Sequence, residues 1–295
     1  MRNPDALLAQ KPLFQKYLKA STHQLSTYHF SSIFLWQDFF DFEFETAEGS
    51  LCVFANQKGA SFLYLPPLGE HKRSVVDHCF SKMNKVNPRT ARIENVEEDG
   101  VGLFKNDFKI HTKSSEYVYK KEDLIELKGH DYKSQRHDIH HFQSHHTSLF
   151  RPYEERDFED ALRLYEDWAK SRHDKHEDEV YRQMLQENRI AHELALRYYK
   201  ALGLVGYVVE IDKKIAAYSF GYSLNSQIFC VLLEISDVSN TGLSSFIFNR
   251  VCADEFLREH TLINTMDDFG LPYVAASKQA YSPVQRPVSY IITQS

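Results

Sequence analysis

The sequence predicts an α+β protein of two tandem halves, each a mixed, mostly antiparallel sheet covered by its own helices. Three observations lead there. At 295 residues the chain is longer than one hydrophobic core usually organises. The order of helical and strand-like periodicities runs twice along it, without obvious identity between the two passes. Hydrophobic residues make up 42% and aromatic residues 14%, with 21 Phe and 17 Tyr, enough to fill two cores and to exclude a disordered or fibrous chain.

In the first pass, helical patterns cross residues 11–41. The runs "FDFEFETA", "LCVFANQ" and "FLYLPP" follow as strands, joined by the turns "EGS" and "KGAS". A helix near "KRSVVDHCFSKMNKV" and a strand "ARIENV" complete it. The stretch from Lys120 to His146, rich in charge and histidine, reads as a helical connector.

In the second pass, Phe158, Leu162, Tyr165 and Trp168 share one helical face behind Asp157 as N-cap. A longer helix runs through Val180, Met184, Ala191, Leu194 and Tyr198. The β-rich runs "LVGYVVEI", "IAAYSFGYS" and "QIFCVLLEI", separated by "DKK" and "LN", form an antiparallel meander. Leu243, Phe246, Ile247, Val251 and Phe256 mark another helix, and "TLIN" a last short strand. The expected division is therefore 1–120, a connector 121–146, and 147–295.

This order matches the acyltransferase fold named for Gcn5-related N-acetyltransferases (GNAT). In that fold a splayed sheet opens a cleft beside the fourth strand, and a glycine-rich loop entering the next helix holds the pyrophosphate of coenzyme A (CoA) on its amides. Here the loop is "SDVSNTGLSS", with Gly242 and little else, so CoA is not the expected substrate.

No apolar run approaches the ~20 residues of a membrane helix, and none near the start suits a secretory signal, so a cytoplasmic location is expected. Cys52, Cys79, Cys230 and Cys252 are widely spaced without a CxxC pair and read as buried thiols. A net charge of −6 offers phosphate no global attraction, which leaves nucleic-acid contact to a local patch.

Several segments together resemble the C-terminal cytosolic domain of phosphatidylglycerol lysyltransferases: "YHFSSIFLWQDFF", "FLYLPPLG", "SSEYVYKKEDLIELKG", "KSQRHDIHHF", "LGLVGYVVEIDKKIAAYSFG" and "LINTMDDFGLPYVAASKQAYSP", in that order. The family is similar to Fem-type peptidyltransferases. The resemblance implies transfer of an aminoacyl group from aminoacyl-tRNA to an acceptor, either soluble or at a membrane surface. Three departures stand out. The membrane-spanning region is missing, the family's Lys-Arg-Asn triplet is Gln135, Arg136 and His137, and Val274 and Ala275 replace a Leu-Arg pair.

Such a reaction needs groups that hold phosphate, orient an amine and stabilise an oxyanion. By resemblance, Lys278, followed by Tyr281 and Pro283, is similar to the family's Lys-x-Ser-Tyr-x-Pro signature, with Lys278 as a phosphate ligand; the alternative is a surface lysine on a final strand. Arg136 is the survivor of the basic triplet and a second phosphate ligand, or else a solvated connector residue. Asn249 aligns with a family asparagine and joins the binding set, or else is a solvated polar residue on its helix. Asp267 and Asp268, just after "TLIN", would anchor the amine or simply cap the turn into Gly270. Glu234 interrupts an apolar strand and reads as catalytic base, amine anchor or strand-edge residue.

His137, His141 and His145 stand four apart, on one face of a helix, yet no cysteine or carboxylate accompanies them at ligand spacing, so no metal is expected. "SRHDKHEDE" (171–179) reads as a solvated turn or a flap. Two rival functions share the fold: a CoA-dependent N-acetyltransferase and a non-catalytic binding module.

Overall fold

The computed structural model describes residues 3–19, 21–70, 72–105, 107–173 and 179–294. The chain divides into two compact units, one of Met1–Glu116, Asp267–Leu271 and Arg286–Ser295, the other of Tyr117–Met266 and Pro272–Gln285. A division at 120 and 146 would place 286–295 in the second half; instead the chain returns to the first unit at its end. Of the segment 171–179, residues 174–178 lie outside the described residues.

In the first unit, Pro4–Leu8 (α1), Lys11–Leu18 (α2) and Phe30–Phe34 (α3) precede the strands Asp41–Ala47 (β1), Ser50–Gln57 (β2), Ala60–Leu63 (β3) and Leu68–Gly69 (β4). Arg73–Val86 (α4), Ile93–Val96 (β5) and Phe108–Ser115 (β6) follow. The second unit contains Val118–Lys120 (β7), Lys121–Glu126 (α5), Lys133–His145 (α6), Ser148–Pro152 (β8), Phe158–His173 (α7) and Glu179–Leu202 (α8). It continues through Val205–Ile211 (β9), Lys214–Ser223 (β10), Ile228–Ser236 (β11), Leu243–Cys252 (α9), Leu262–Asn264 (β12) and Pro272–Gln279 (α10). The final strand, Val288–Gln294 (β13), joins the sheet of the first unit.

The first sheet runs β1-β2-β3-β5-β13-β6, with β4 on β2. Between the paired Ala47 and Ser50, Glu48 and Gly49 both have positive φ (46° and 83°), the mirror-image turn whose twist matches a hairpin. Helix α4 buries Val75, Val76, Cys79, Phe80 and Met83, spaced to lie on one face. Each large apolar side chain so removed from water contributes roughly 1.5–3 kcal/mol. All four cysteines are buried free thiols, as their spacing suggested.

The second sheet runs β7-β12-β11-β10-β9-β8. Under α9, whose Leu243, Phe246, Ile247, Val251 and Cys252 are buried, pack Tyr207, Val209, Ala217, Phe229 and Val231. The expected meander is present, and its "DKK" turn places Asp212 and Lys213 at φ 50° and 64°.

Two irregularities of β11 shape the sheet. Strand β12 runs parallel to β11 only from Ile228 to Cys230, so among the described residues no strand flanks Val231–Ser236 on that edge. On the other edge, Phe220 stands opposite Leu233 and Gly221 opposite Val231, leaving Leu232 without a partner. This bulge puts the alternation out of step by one residue. Glu234, rather than Leu233, therefore follows Val231 onto the α9 face. Gly221 permits the distortion, because a Cβ there would lie 2.4 Å from the Cys230 carbonyl oxygen.

Candidate functional site

Glu234 lies in the unflanked stretch of β11. Directly opposite on β10 is Ser219, and next in the same row on β9 is Tyr207, whose Oη donates to Asp254 Oδ1 at 2.7 Å. Ser219 is only 1% exposed. Among the described residues, Ser219 Oγ and Glu234 Oε2 are both closed off from solvent and have no hydrogen-bond partner. Glu234 as a whole is half-buried, and its Oε2 is enclosed.

Burial pushes the Glu234 carboxyl up to about 8, and the nearby hydroxyls of Ser219 and Ser244 oppose the shift. At neutral pH the group is mostly protonated, but close enough to its midpoint to give or take a proton. Cys252 of α9 shares the neighbourhood; burial and then the Glu234 charge push its thiol up. Tyr281 lies nearby, its phenol raised to about 12 by burial and held back by Ser245, to which its Oη donates at 3.2 Å.

The other sequence-derived candidates occupy several places. Arg136 Nη1 donates to the carbonyls of Leu127 and, at 2.8 Å, Gly129. Asn249 Nδ2 donates to the carbonyls of Leu124 at 2.8 Å and Ile125 at 3.1 Å. Both thus satisfy the exposed carbonyls at the C-terminal end of α5, where Leu127 turns left-handed. Lys278 lies in the last turn of helix α10, not on a strand. Its ammonium donates to the carbonyl oxygens of Thr265 and Met266 and sits 5.7 Å from the centre of the Tyr117 ring.

Asp267 and Asp268 belong to the first unit. Asp268 Oδ1 accepts from Gly270 N at 2.9 Å, the turn-capping arrangement weighed for it. Asp267 adds its charge, after burial and the larger effects of Glu94 and Glu116, to the forces that push the Tyr64 phenol up. The His137, His141 and His145 rings do line one face of α6, those of His141 and His145 stacking at 4.2 Å. Among the described residues no group of three metal-binding side chains comes together.

The turn entering α9 is occupied. Asp237 accepts from the amide and hydroxyl of Ser239 and from Asn240 Nδ2. Gly242, at φ 85°, presses so closely on α6 that a Cβ would lie 2.0 Å from the Asp138 carbonyl oxygen. A carboxylate and a carbonyl oxygen beside these amides repel a diphosphate.

A family model described as "Phosphatidylglycerol lysyltransferase, C-terminal" matches residues 19–292. The chain belongs to that family. No curated protein matches the sequence. Among solved structures, a conserved protein of unknown function from Bacteroides thetaiotaomicron shares 20% identity at a TM-score of 0.86, covering 98% of this chain and 97% of that one. The C-terminal domain of a putative lysylphosphatidylglycerol synthetase from Agrobacterium fabrum shares 12% at 0.64, covering 99% and 93%. A tandem GNAT protein from the clavulanic acid biosynthesis pathway shares 10% at 0.51, covering 98% and 95%. At these identities the likeness shows the fold, which is GNAT-like as expected.

Ser219 and Ser244 are not marked by any motif in the sequence. The signal for Ser219 was faint: a hydroxyl inside the apolar run "AAYSFGY". Only the register of β10 on β11 sets it against Glu234.

Proposed function

We propose that the protein transfers an aminoacyl group from aminoacyl-tRNA to an acceptor bearing a nucleophilic amine or hydroxyl, such as a lipid head group, a peptide or a small molecule. The match to a lysyltransferase family over residues 19–292 carries the reading. Glu234 supplies a chemical centre for it. The acceptor's nucleophile attacks the ester carbonyl, the bond to the terminal ribose oxygen breaks, and the nucleophile's proton ends on that oxygen. A carboxyl with a midpoint near 8 suits a group that must take this proton and release it again.

In the second unit, further side chains would serve the same transfer. Arg136 would hold a phosphate through Nε and Nη2, since Nη1 serves the end of α5. Asn249 would keep that helix end in place. Lys278 would fix the Thr265 and Met266 carbonyls within the second unit. Tyr281 would stand beside the Glu234 carboxyl. The acceptor could be a membrane-surface molecule, although among the described residues no helix is long and apolar enough to cross a membrane.

A CoA-dependent N-acetyltransferase is the second reading, and the Asp237 and Asp138 oxygens at the α9 turn count against it. The experiment is a binding titration with bulk aminoacyl-tRNA, uncharged tRNA and acetyl-CoA at two salt concentrations, since phosphate contacts weaken steeply with salt. Preference for charged tRNA supports aminoacyl transfer. Tight acetyl-CoA binding overturns it in favour of acetyl transfer, and no binding by any of the three overturns it in favour of a binding module.

A further inference from the structure

We propose that Ser219 is a positioning residue for the proton that Glu234 carries. The inference rests on Glu234 as the proton-handling group of the acyl transfer and assigns a role to a residue beneath it. The two residues are cross-strand partners on the face covered by α9. Side chains so placed have Cβ atoms about 4.5–5.5 Å apart. The row around them is otherwise settled: Tyr207 has Asp254, and Ala217 and Val209 are apolar.

Packing alone would be served at this position by alanine. Buried polar atoms are almost always hydrogen bonded, and Ser219 Oγ and Glu234 Oε2, which make no ideal hydrogen bond among the described residues, are near enough for the hydroxyl to act on the carboxyl. A hydroxyl differs from an amide or a cation in being able to accept from a protonated carboxyl and donate to an ionised one by rotating about a single bond. Ser219 can therefore serve either state of Glu234 without backbone movement. It neither gains nor loses a proton itself; the proton passes from the nucleophile to Glu234 and on to the ribose oxygen.

The bulge at Leu232 reinforces this assignment. Without it, Leu233 would face Ser219's side of the sheet and the hydroxyl would have nothing to serve. Among the described residues the neighbourhood also holds the Cys252 thiol from α9, the Tyr281 phenol and, next in the row, the Tyr207 phenol with Asp254; burial raises the thiol and both phenols, which stay neutral at neutral pH. Ser244, in the first turn of α9, lies on the exposed side. Thus Ser219 is the inner of two hydroxyls that bear on Glu234.

The test is a carbon-13 NMR titration of protein labelled at the glutamate δ-carboxyl, with the Glu234 signal assigned by its absence in Glu234→Gln. In Ser219→Ala the midpoint should move alkaline by about half a pH unit or more, because a donor to the ionised form is lost. Ser219→Thr should restore it. Should Ser219→Ala fail to fold, Ser219→Cys, somewhat larger but with a weaker donor in the same place, should show the same direction of shift. A folded Ala or Cys variant with the wild-type midpoint, or a Thr variant shifted as far as Ala, overturns the assignment. Because no tRNA enters this titration, failure of the wild type to bind aminoacyl-tRNA would remove the acyl-transfer reading and leave the Ser219 result standing.

Discussion

Ser219 faces Glu234 across β10 and β11, a hydroxyl beside a carboxyl on the face covered by α9. That placement has a thermodynamic signature. The folded carboxyl titrates near 8 and the unfolded one near 4.5. Above 4.5 the unfolded chain releases its proton while the folded chain keeps it, so stability falls as pH rises to about 8, by at most about 1.4 kcal/mol per unit. Urea denaturation at pH 5.5 and 8 should show Glu234→Gln losing less stability than the wild type over this interval; equal losses would refute the buried-acid assignment.

His192 and His29 act in the opposite sense. Burial holds each down to about 3, with Lys11 adding to the effect at His29. Both stay neutral when folded, whereas the unfolded chain binds protons below about 6.5. Stability is thus present above 6.5 and lost as pH falls toward 3. His192→Phe should start from a lower stability, having lost the 2.7 Å bond to Tyr218 Oη, but decline less steeply between pH 6 and 4. Urea midpoints across that range measure the slope.

Gly242 tolerates no side chain. It combines a left-handed φ of 85° with 2.0 Å between an added Cβ and the Asp138 oxygen, so Gly242→Ala should cost more than about 2 kcal/mol. Gly59 has φ 73° but nothing within 4 Å of its Cβ position, and Gly59→Ala should cost only about 1 kcal/mol. Chemical denaturation of the two variants side by side checks the difference.

Arg136 and Asn249 meet at the same helix end, so their contributions should interact. Each Ala substitution is expected to remove about 1 kcal/mol, and the double variant to cost less than the sum, because α5 frays once either support is gone. Strict additivity would show that the two act independently. Lys278→Ala should lower stability by about 1 kcal/mol as well, since its ammonium holds two backbone carbonyls.

The fold was legible where periodicity was long. The meander β9–β11, the hairpin of β1 and β2, and α9 as far as Cys252 stand where apolar spacing and turn residues placed them, while Phe256 falls in a separate helical turn, Glu255–Leu257, and is exposed. Phe108–Ser115 was missed because β6 is an edge strand with mostly polar side chains, and Pro272–Gln279 because its apolar residues form no clear stripe. Glu234 was visible as an acid in an apolar strand. Its partner was not, since a bulge changes which residues share a face and leaves no mark in the hydrophobic pattern.

The position of β13 bears on how the molecule is made. Residues 288–294 lie between β5 and β6, inside the sheet of the unit that begins the chain. On the ribosome, the first unit must therefore wait with two strand edges open while some 170 residues of the second emerge, a span of about 8–34 s at ordinary elongation rates. The unit synthesised first is the one whose sheet closes last, and cutting the chain before Val288 would leave those edges permanently exposed for pairing with other chains.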